Sequence, residues 1–172
     1  ADRLIGFNTD VHGAMQPLTE LLNIRDARVA VLGAGGSARA VCYGLKQHGA
    51  NVTIYARDLP KAQPLANEFN ATAAALDRFH GQADIVINCT PMGMKGHSEG
   101  VSPVTAETLR GVQLVYDLVY NPEQTALLQA AQTAGCQTLG GLAMLIAQAA
   151  EQFRLWTGTV APVDVLWQAV RV

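Results

Sequence analysis

The sequence contains little charge and no cluster of charge of one sign. Only 15% of its 172 residues are charged, and 12 lysines and arginines against 14 acidic residues leave a net charge of −2. Because no basic run or stripe is present, we expect no nucleic-acid partner. The longest apolar stretches are strand-length or interrupted by glycine, so the sequence predicts no membrane span and no membrane partner.

Cysteine is also scarce, and its spacing excludes two kinds of site. Cys42, Cys89 and Cys136 are odd in number and far apart, which argues against a disulfide framework and a Cys-x-x-Cys metal site. Reduced thiols, together with a polar N-terminus that lacks the apolar core of a signal peptide, predict a cytoplasmic protein. The four histidines do not form a ligand set, so we expect them to be solvated and expect no bound metal.

The chain is rich in short β-branched runs that alternate with helical segments. Parallel neighbouring strands need crossover connections, so this order predicts an α/β fold. We expect a Rossmann-like, doubly wound and mainly parallel sheet with helices on both faces, in a single domain over residues 1–172. The predicted strands are 29–32, 52–56, 71–75, 84–88, 112–119 and 136–139, and helices are predicted at 60–69 and 122–134.

The two ends of the chain differ from this alternation. Residues 9–22 predict a leading helix capped by Thr9 or Asp10, and 142–157 and 162–170 predict two C-terminal helices. Helix 142–157 is apolar on nearly all sides, so it should pack against a second body or form a homodimer. The residues expected to contribute an exposed apolar patch are Leu142, Leu145, Ile146, Ala149, Leu155, Trp156 and Trp167.

A glycine-rich turn separates the first strand from the helix that follows it. Gly33, Gly35 and Ala38 match G-x-G-x-x-G/A, the dinucleotide fingerprint, in the strand–turn–helix context that it needs. Glycine permits the tight turn and the approach of a pyrophosphate, and alanine permits close packing of helix on strand. The amide groups of the first helical turn then face the phosphates. The predicted cofactor-binding residues are Gly33, Ala34, Gly35, Gly36, Ser37 and Ala38.

The end of the second predicted strand carries the residues that select the cofactor. Arg57 lies at the strand tip and Lys61 one helical turn later, so two cations can converge on a 2′-phosphate, which favours NADP. Asp58 has two interpretations: it accepts hydrogen bonds from ribose hydroxyls, which favours NAD, or it caps the following helix.

A second loop with polar residues follows the strand at 84–88. Thr90 and Gly93 are candidate cofactor contacts because ligands bind at the carboxyl ends of parallel strands. Met92 and Met94 either flank a nicotinamide or fill the core. Cys89 is more readily explained as a small packing residue than as a nucleophile, since no histidine is near it in sequence.

Several motifs occur in one order and together resemble the C-terminal part of shikimate dehydrogenase, from residue 6 almost to the end. The loop at Arg57 and Lys61 resembles that family's basic NADP loop, from which Ala56, Asp58 and Lys61 depart. The motifs are Gly6-x-Asn8-Thr9-Asp10-x-x-Gly13, Gly33-Ala34-Gly35-Gly36-Ser37-Ala38, Asn88-x-Thr90-Pro91-x-Gly93-Met94, Asp117-x-x-Tyr120-Asn121-Pro122-x-x-Thr125, Gly141-Leu142-x-Met144-Leu145-x-x-Gln148-Ala149 and Phe153-x-x-Trp156-Thr157-Gly158.

The resemblance implies the NADP-dependent, reversible reduction of 3-dehydroshikimate to shikimate, a step of chorismate and aromatic amino acid biosynthesis. Asp10 matches the family's catalytic, substrate-binding aspartate. Tyr120 and Gln148 match substrate-binding positions, while Leu118 and Gly141 match positions beside the nicotinamide.

The family's catalytic lysine belongs to a substrate domain upstream of Asp10, which we expect to be missing here because the chain begins at Ala1. An aspartate alone does not stabilise the alkoxide-like charge that develops as hydride leaves, so this chain should bind NADP but be catalytically incomplete. Two alternatives remain open: an NAD-preferring quinate/shikimate relative, and a nucleotide-binding module without catalysis.

Overall fold

Six short strands form one sheet in the order β3-β2-β1-β4-β5-β6, and every neighbouring pair is parallel. The order reverses direction between β1 and β4, the switch point at which doubly wound sheets bind ligands. The predicted fold class is confirmed. In this computed structural model, which describes residues 3–170, the strands are Arg28–Leu32 (β1), Asn51–Ala56 (β2), Thr72–Ala75 (β3), Ile85–Asn88 (β4), Leu114–Asp117 (β5) and Gln137–Leu139 (β6).

Helices cover both faces of the sheet. Successive strand residues point to opposite sides, and because both sets are apolar, both faces form a core with helices. Val29 and Val31 belong to a core shared with the first three helices, whereas Ala30 and Leu32 belong to a core shared with the fourth. None of the helices within residues 3–170 is both long and apolar enough to cross a membrane. The helices are Asp10–Leu21 (α1), Gly36–Gln47 (α2), Leu59–Phe69 (α3), Ala126–Thr133 (α4), Gly141–Thr157 (α5) and Val163–Val170 (α6).

Helix α4 starts four residues later than the sequence predicted. The expected start at Pro122 was wrong because Thr125 is the N-cap: its Oγ1 accepts a hydrogen bond from the backbone N of Leu128 at 3.2 Å. The Asn121–Pro122 peptide bond is cis. The segment between β5 and α4 is therefore a loop, and its first residues face the candidate site.

Two glycines allow the terminal helices to approach the rest of the molecule closely. A Cβ on Gly13 of α1 would lie 2.9 Å from the Cβ of Gln148, so this glycine brings α1 against α5. A Cβ on Gly141 would lie 2.4 Å from the carbonyl oxygen of Leu118, so α5 begins against the backbone that follows β5. Side chains at either position would separate the elements that carry the candidate site.

The expected apolar patch on the terminal helices is only partly correct. Leu142 and Ile146 are buried, because α1 and α6 both pack against α5. Trp156 is 80% exposed, as part of the expected patch, and borders a shallow hollow together with Ile5 and Phe7. The sequence prediction did not include Ile5 and Phe7. The other expected members, Leu145, Ala149, Leu155 and Trp167, are half-buried.

Candidate functional site

The glycine-rich loop leaves the middle of the sheet in a tight turn. Gly33 has φ +104°, and its amide donates to the carbonyl oxygen of Tyr55 at 2.8 Å. A Cβ at this position would lie 2.9 Å from Cγ2 of Thr90. Ala38 is fully buried in the core beneath α2. The turn expected at Gly33 and the close packing expected at Ala38 are therefore both present.

Gly35 and Gly36 have no comparable structural reason to be glycine. Neither has a positive φ, and beyond the adjacent residues and the backbone of α2 a Cβ on either would meet no atom within 4 Å. Gly35 is the N-cap of α2, so the amides of the first helical turn have no acceptor within the helix. The open space lies at the positive end of the helix dipole, where an anionic ligand is stabilised.

A cleft of about 360 Å³ opens beside this loop, at the carboxyl ends of β1, β4 and β5. It includes the predicted residues Ser37, Thr90, Leu118 and Tyr120, which come from three separate segments of the chain. Met94 lines the cleft as well, whereas Gly93 and Met92 are not among its lining residues. The remaining lining residues are Cys89, Pro91, Lys95, Val119 and Asn121.

Two buried polar side chains lie directly beneath the cleft, and sequence reasoning assigned neither of them a role. Asn88 ends β4, Asp117 ends β5, and Asn88 Nδ2 donates to Asp117 Oδ1 at 2.9 Å. Burial raises the pKa of Asp117 above its usual value, although hydrogen bonds from Thr125, Val119 and Asn88 oppose that shift. A polar residue that ends an apolar strand was the available sequence signal at both positions.

The tip of β2 presents one free cation and one paired cation. Arg57 is exposed beside a shallow pocket, and within residues 3–170 its guanidinium forms no hydrogen bond or ion pair. Lys61 Nζ instead lies 3.3 Å from Asp58 Oδ2. Asp58 caps α3, since its Oδ1 accepts from the backbone N of Lys61 at 3.3 Å. The capping interpretation of Asp58 is confirmed, and Lys61 pairs with that cap.

The start of α1 is attached to α5 by two side-chain hydrogen bonds. Gln148 Nε2 donates to Asp10 Oδ1 at 2.5 Å, and Gln152 Nε2 donates to Thr9 Oγ1 at 3.1 Å. Thr9 is the N-cap by position, but its side chain does not cap the helix because it contacts Gln152. No lysine or arginine in the described part of the chain forms an ion pair with Asp10.

The cysteines do not provide a nucleophile. Burial raises the pKa of Cys89 well above its ordinary value and that of Cys42 to about 12, and it raises the pKa of Cys136 too. All three thiols are free and stay protonated near neutral pH. His12, His48, His80 and His97 are exposed, and residues 3–170 contain no group of three metal-ligating side chains.

Two protein-family models match parts of this sequence. A model described as "Shikimate / quinate 5-dehydrogenase" matches residues 16–96, and one described as "Shikimate 5'-dehydrogenase C-terminal domain" matches residues 141–171. The chain belongs to the shikimate/quinate dehydrogenase family. A relative named shikimate dehydrogenase (NADP(+)), from Methanosarcina mazei, is 40% identical over 176 residues, which cover 96% of this chain and 62% of the relative.

Solved structures of the family share the fold. A shikimate dehydrogenase in complex with NADP+ is 37% identical with a TM-score of 0.89, over 96% of this chain and 61% of that one. A quinate dehydrogenase from Corynebacterium glutamicum in complex with NAD is 36% identical with a TM-score of 0.85, over 94% and 61% respectively. The chain spans about three fifths of the curated relatives it matches, with values of 62%, 64% and 58%.

Proposed function

We propose that this chain binds NADP and forms the cofactor-binding part of an NADP-dependent shikimate dehydrogenase. The observation that carries the proposal is the open space at Gly35 and Gly36. Both positions tolerate a side chain within the protein itself, so a ligand at the α2 N-terminus is the remaining reason for two glycines there. The NADP complex of a solved relative supports the choice of ligand.

The cofactor would lie along the carboxyl edge of the sheet. The first turn of α2, formed by Gly36 and Ser37, would hold its pyrophosphate, and Arg57 would hold its 2′-phosphate. Thr90 and Leu118 line the cleft that would hold the nicotinamide half. Gly141 acts there through its contact with the Leu118 carbonyl, which brings the end of β5 close to α5.

The proposed chemistry is hydride exchange between a ring carbon of shikimate and the bound nicotinamide. NADP supplies the hydride acceptor. Asp10 accepts or orients the proton of the reacting hydroxyl, while Gln148 holds that carboxylate and contacts substrate. Tyr120, half-exposed on the cleft wall, contacts substrate from the other side. The cation that stabilises the developing alkoxide comes from the substrate domain that the family resemblance implies.

Arg57→Ala tests the cofactor assignment. Loss of a charge-assisted contact should weaken NADP binding by about tenfold to a hundredfold, because such hydrogen bonds contribute ~1.5–3 kcal/mol. NAD has no 2′-phosphate, so its affinity should stay within about twofold. Calorimetric titration of both cofactors measures the effect. Arg25→Ala, an exposed arginine before β1, is the matched control; unchanged NADP binding by Arg57→Ala would contradict the assignment.

Asp58→Ser tests whether the cap restrains Lys61. Serine is an equally good N-cap, so α3 should keep its stability while Lys61 loses its partner. We expect NADP affinity to rise by up to about fivefold, the effect of ~0.2–1 kcal/mol for an exposed charge pair. Asp164→Ser in α6 changes the net charge equally and should leave affinity unchanged. Weaker NADP binding by Asp58→Ser would show that Asp58 itself contacts the cofactor.

An NAD-preferring quinate/shikimate dehydrogenase is the second candidate function. The Lys61–Asp58 pair favours it, because only Arg57 then remains to recognise a 2′-phosphate. The solved quinate dehydrogenase in complex with NAD supports the same alternative. Tighter binding of NAD than of NADP by the wild-type chain would favour this candidate over the first.

The exposed hollow formed by Ile5, Phe7 and Trp156 is proposed as the contact with the family's substrate domain. A homodimer through the same hollow is the alternative partner, and a concentration series in analytical ultracentrifugation separates the two.

We also propose that residues 1–172 form one cofactor-binding domain. We propose a cytoplasmic location, which the three free thiols support, and the low positive charge supports the absence of a nucleic-acid partner.

A further inference from the structure

We propose that Asp117 is a positioning residue that holds the two loops of the cleft at the separation the nicotinamide half of the dinucleotide requires. The inference rests on the proposed function, since it assigns a role within the same cofactor site. Asp117 touches neither substrate nor cofactor in this account; it acts through Asn88 and through the backbone that follows β5.

The first cleft wall, which carries Thr90, is tied to Asp117 through Asn88. Asn88 Oδ1 accepts from the Thr90 amide at 3.0 Å and from its hydroxyl at 2.7 Å. The same hydroxyl oxygen accepts from the backbone N of Met92 at 3.2 Å. The Asn88 amide nitrogen then donates to Asp117. The hydrogen bonds of the first wall therefore connect Thr90 to the buried carboxylate of Asp117 through Asn88.

The second wall, which carries Leu118, is tied to the same group directly. Asp117 Oδ1 accepts from the backbone N of Val119 at 3.1 Å, and Oδ2 accepts from Thr125 Oγ1 at 2.6 Å. Thr125 in turn caps α4, so the far end of this loop is fixed as well. Asn88, Asp117 and Thr125 are all fully buried, so solvent does not replace these bonds.

A carboxylate satisfies this arrangement and an amide does not. Three donors converge on the two oxygens of Asp117, and Asn88 has committed its own oxygen to Thr90. An asparagine at 117 offers one oxygen and adds two N–H donors, so at least one buried donor is left without an acceptor. Because an unsatisfied buried donor is unfavourable, one of the two loops has to move. The cleft, rather than the core, takes up that displacement.

The experiment compares two ligands on Asp117→Asn in this chain. Adenosine 2′,5′-bisphosphate reaches only the glycine-rich loop and Arg57, whereas NADP also enters the cleft. We expect NADP affinity to fall at least about tenfold, as for a lost hydrogen bond to a charged group, and adenosine 2′,5′-bisphosphate affinity to stay within about twofold. Asp84→Asn, the same change beside the opposite end of β4, should alter neither affinity.

Thr125→Val provides a second variant of nearly unchanged shape that removes one donor to Asp117, and Thr125→Ser should restore NADP binding. Two results would overturn the inference: unchanged NADP affinity in Asp117→Asn and Thr125→Val, or equal weakening of both ligands, which indicates a general loss of structure. If the wild-type chain binds neither ligand, the proposed function fails first and the inference falls with it.

Discussion

Gly35→Asp should abolish NADP binding while leaving the protein at least as stable as the wild type. Gly35 is the N-cap of α2, has no positive φ and has open space around it, so aspartate fits there without strain. Aspartate is a favoured N-cap and should stabilise the helix by a few tenths of a kcal/mol to about 1 kcal/mol. The same carboxylate occupies the place of the pyrophosphate and repels it, so affinity should fall more than about a hundredfold.

Thermal unfolding and calorimetric titration of one sample measure both effects. Gly6→Asp is the matched control, because Gly6 also has open surroundings and the change in net charge is the same. The control should bind NADP as the wild type does. Retained NADP binding by Gly35→Asp would place the phosphates elsewhere on the molecule. Lost binding with a lower unfolding temperature would mean that Gly35 serves the fold rather than a ligand.

With NADP bound and shikimate added, residues 1–172 should show no measurable formation of NADPH. Asp10 is hydrogen-bonded to Gln148, and no lysine or arginine in residues 3–170 forms an ion pair with it. If no cation of residues 1–172 stabilises the alkoxide and none of its other groups orients shikimate, the reaction loses the ~7–11 kcal/mol that orientation contributes, or about five to eight powers of ten in rate.

The increase in absorbance at the NADPH maximum gives the rate. A complete relative of the family, assayed under the same conditions, is the positive control. An NADP titration of the same preparation shows that the site is folded. Turnover close to that of the complete relative would contradict this prediction, and would mean that Lys46, Lys61, Lys95 or an arginine of this chain supplies the charge.

The sequence predicted the sheet well because its signals are local. Apolar β-branched runs and the glycines that interrupt them indicate strands and turns, and the crossover spacing favours parallel pairing. The start of α4 was misplaced since helical composition continues through 122–125, whereas the hydroxyl of Thr125 ends that pattern at the N-cap. Local composition does not show at which residue a helix is capped.

The turn at Gly33 could be predicted because it depends on the backbone of that residue alone. The motifs also pointed to Ser37, Thr90, Leu118 and Tyr120, which line one cleft, while the role of Arg57 stays a prediction. The network of Asn88, Asp117 and Thr125 depends on the adjacent register of β4 and β5, which pairs Asn88 with Asp117. The hydrogen bond of Gln148 to Asp10 joins residues at opposite ends of the chain. Contacts of this range follow from the folded structure, not from spacing along the sequence.

Cofactor titration of the wild-type chain shows whether the protein binds NADP and prefers it to NAD. We expect one NADP to bind per chain, at least about tenfold more tightly than NAD, because only NADP has a 2′-phosphate for Arg57. The preference should shrink at high salt, since the contact lies on the exposed tip of β2. No saturable NADP binding, or tighter binding of NAD than of NADP, would contradict this expectation.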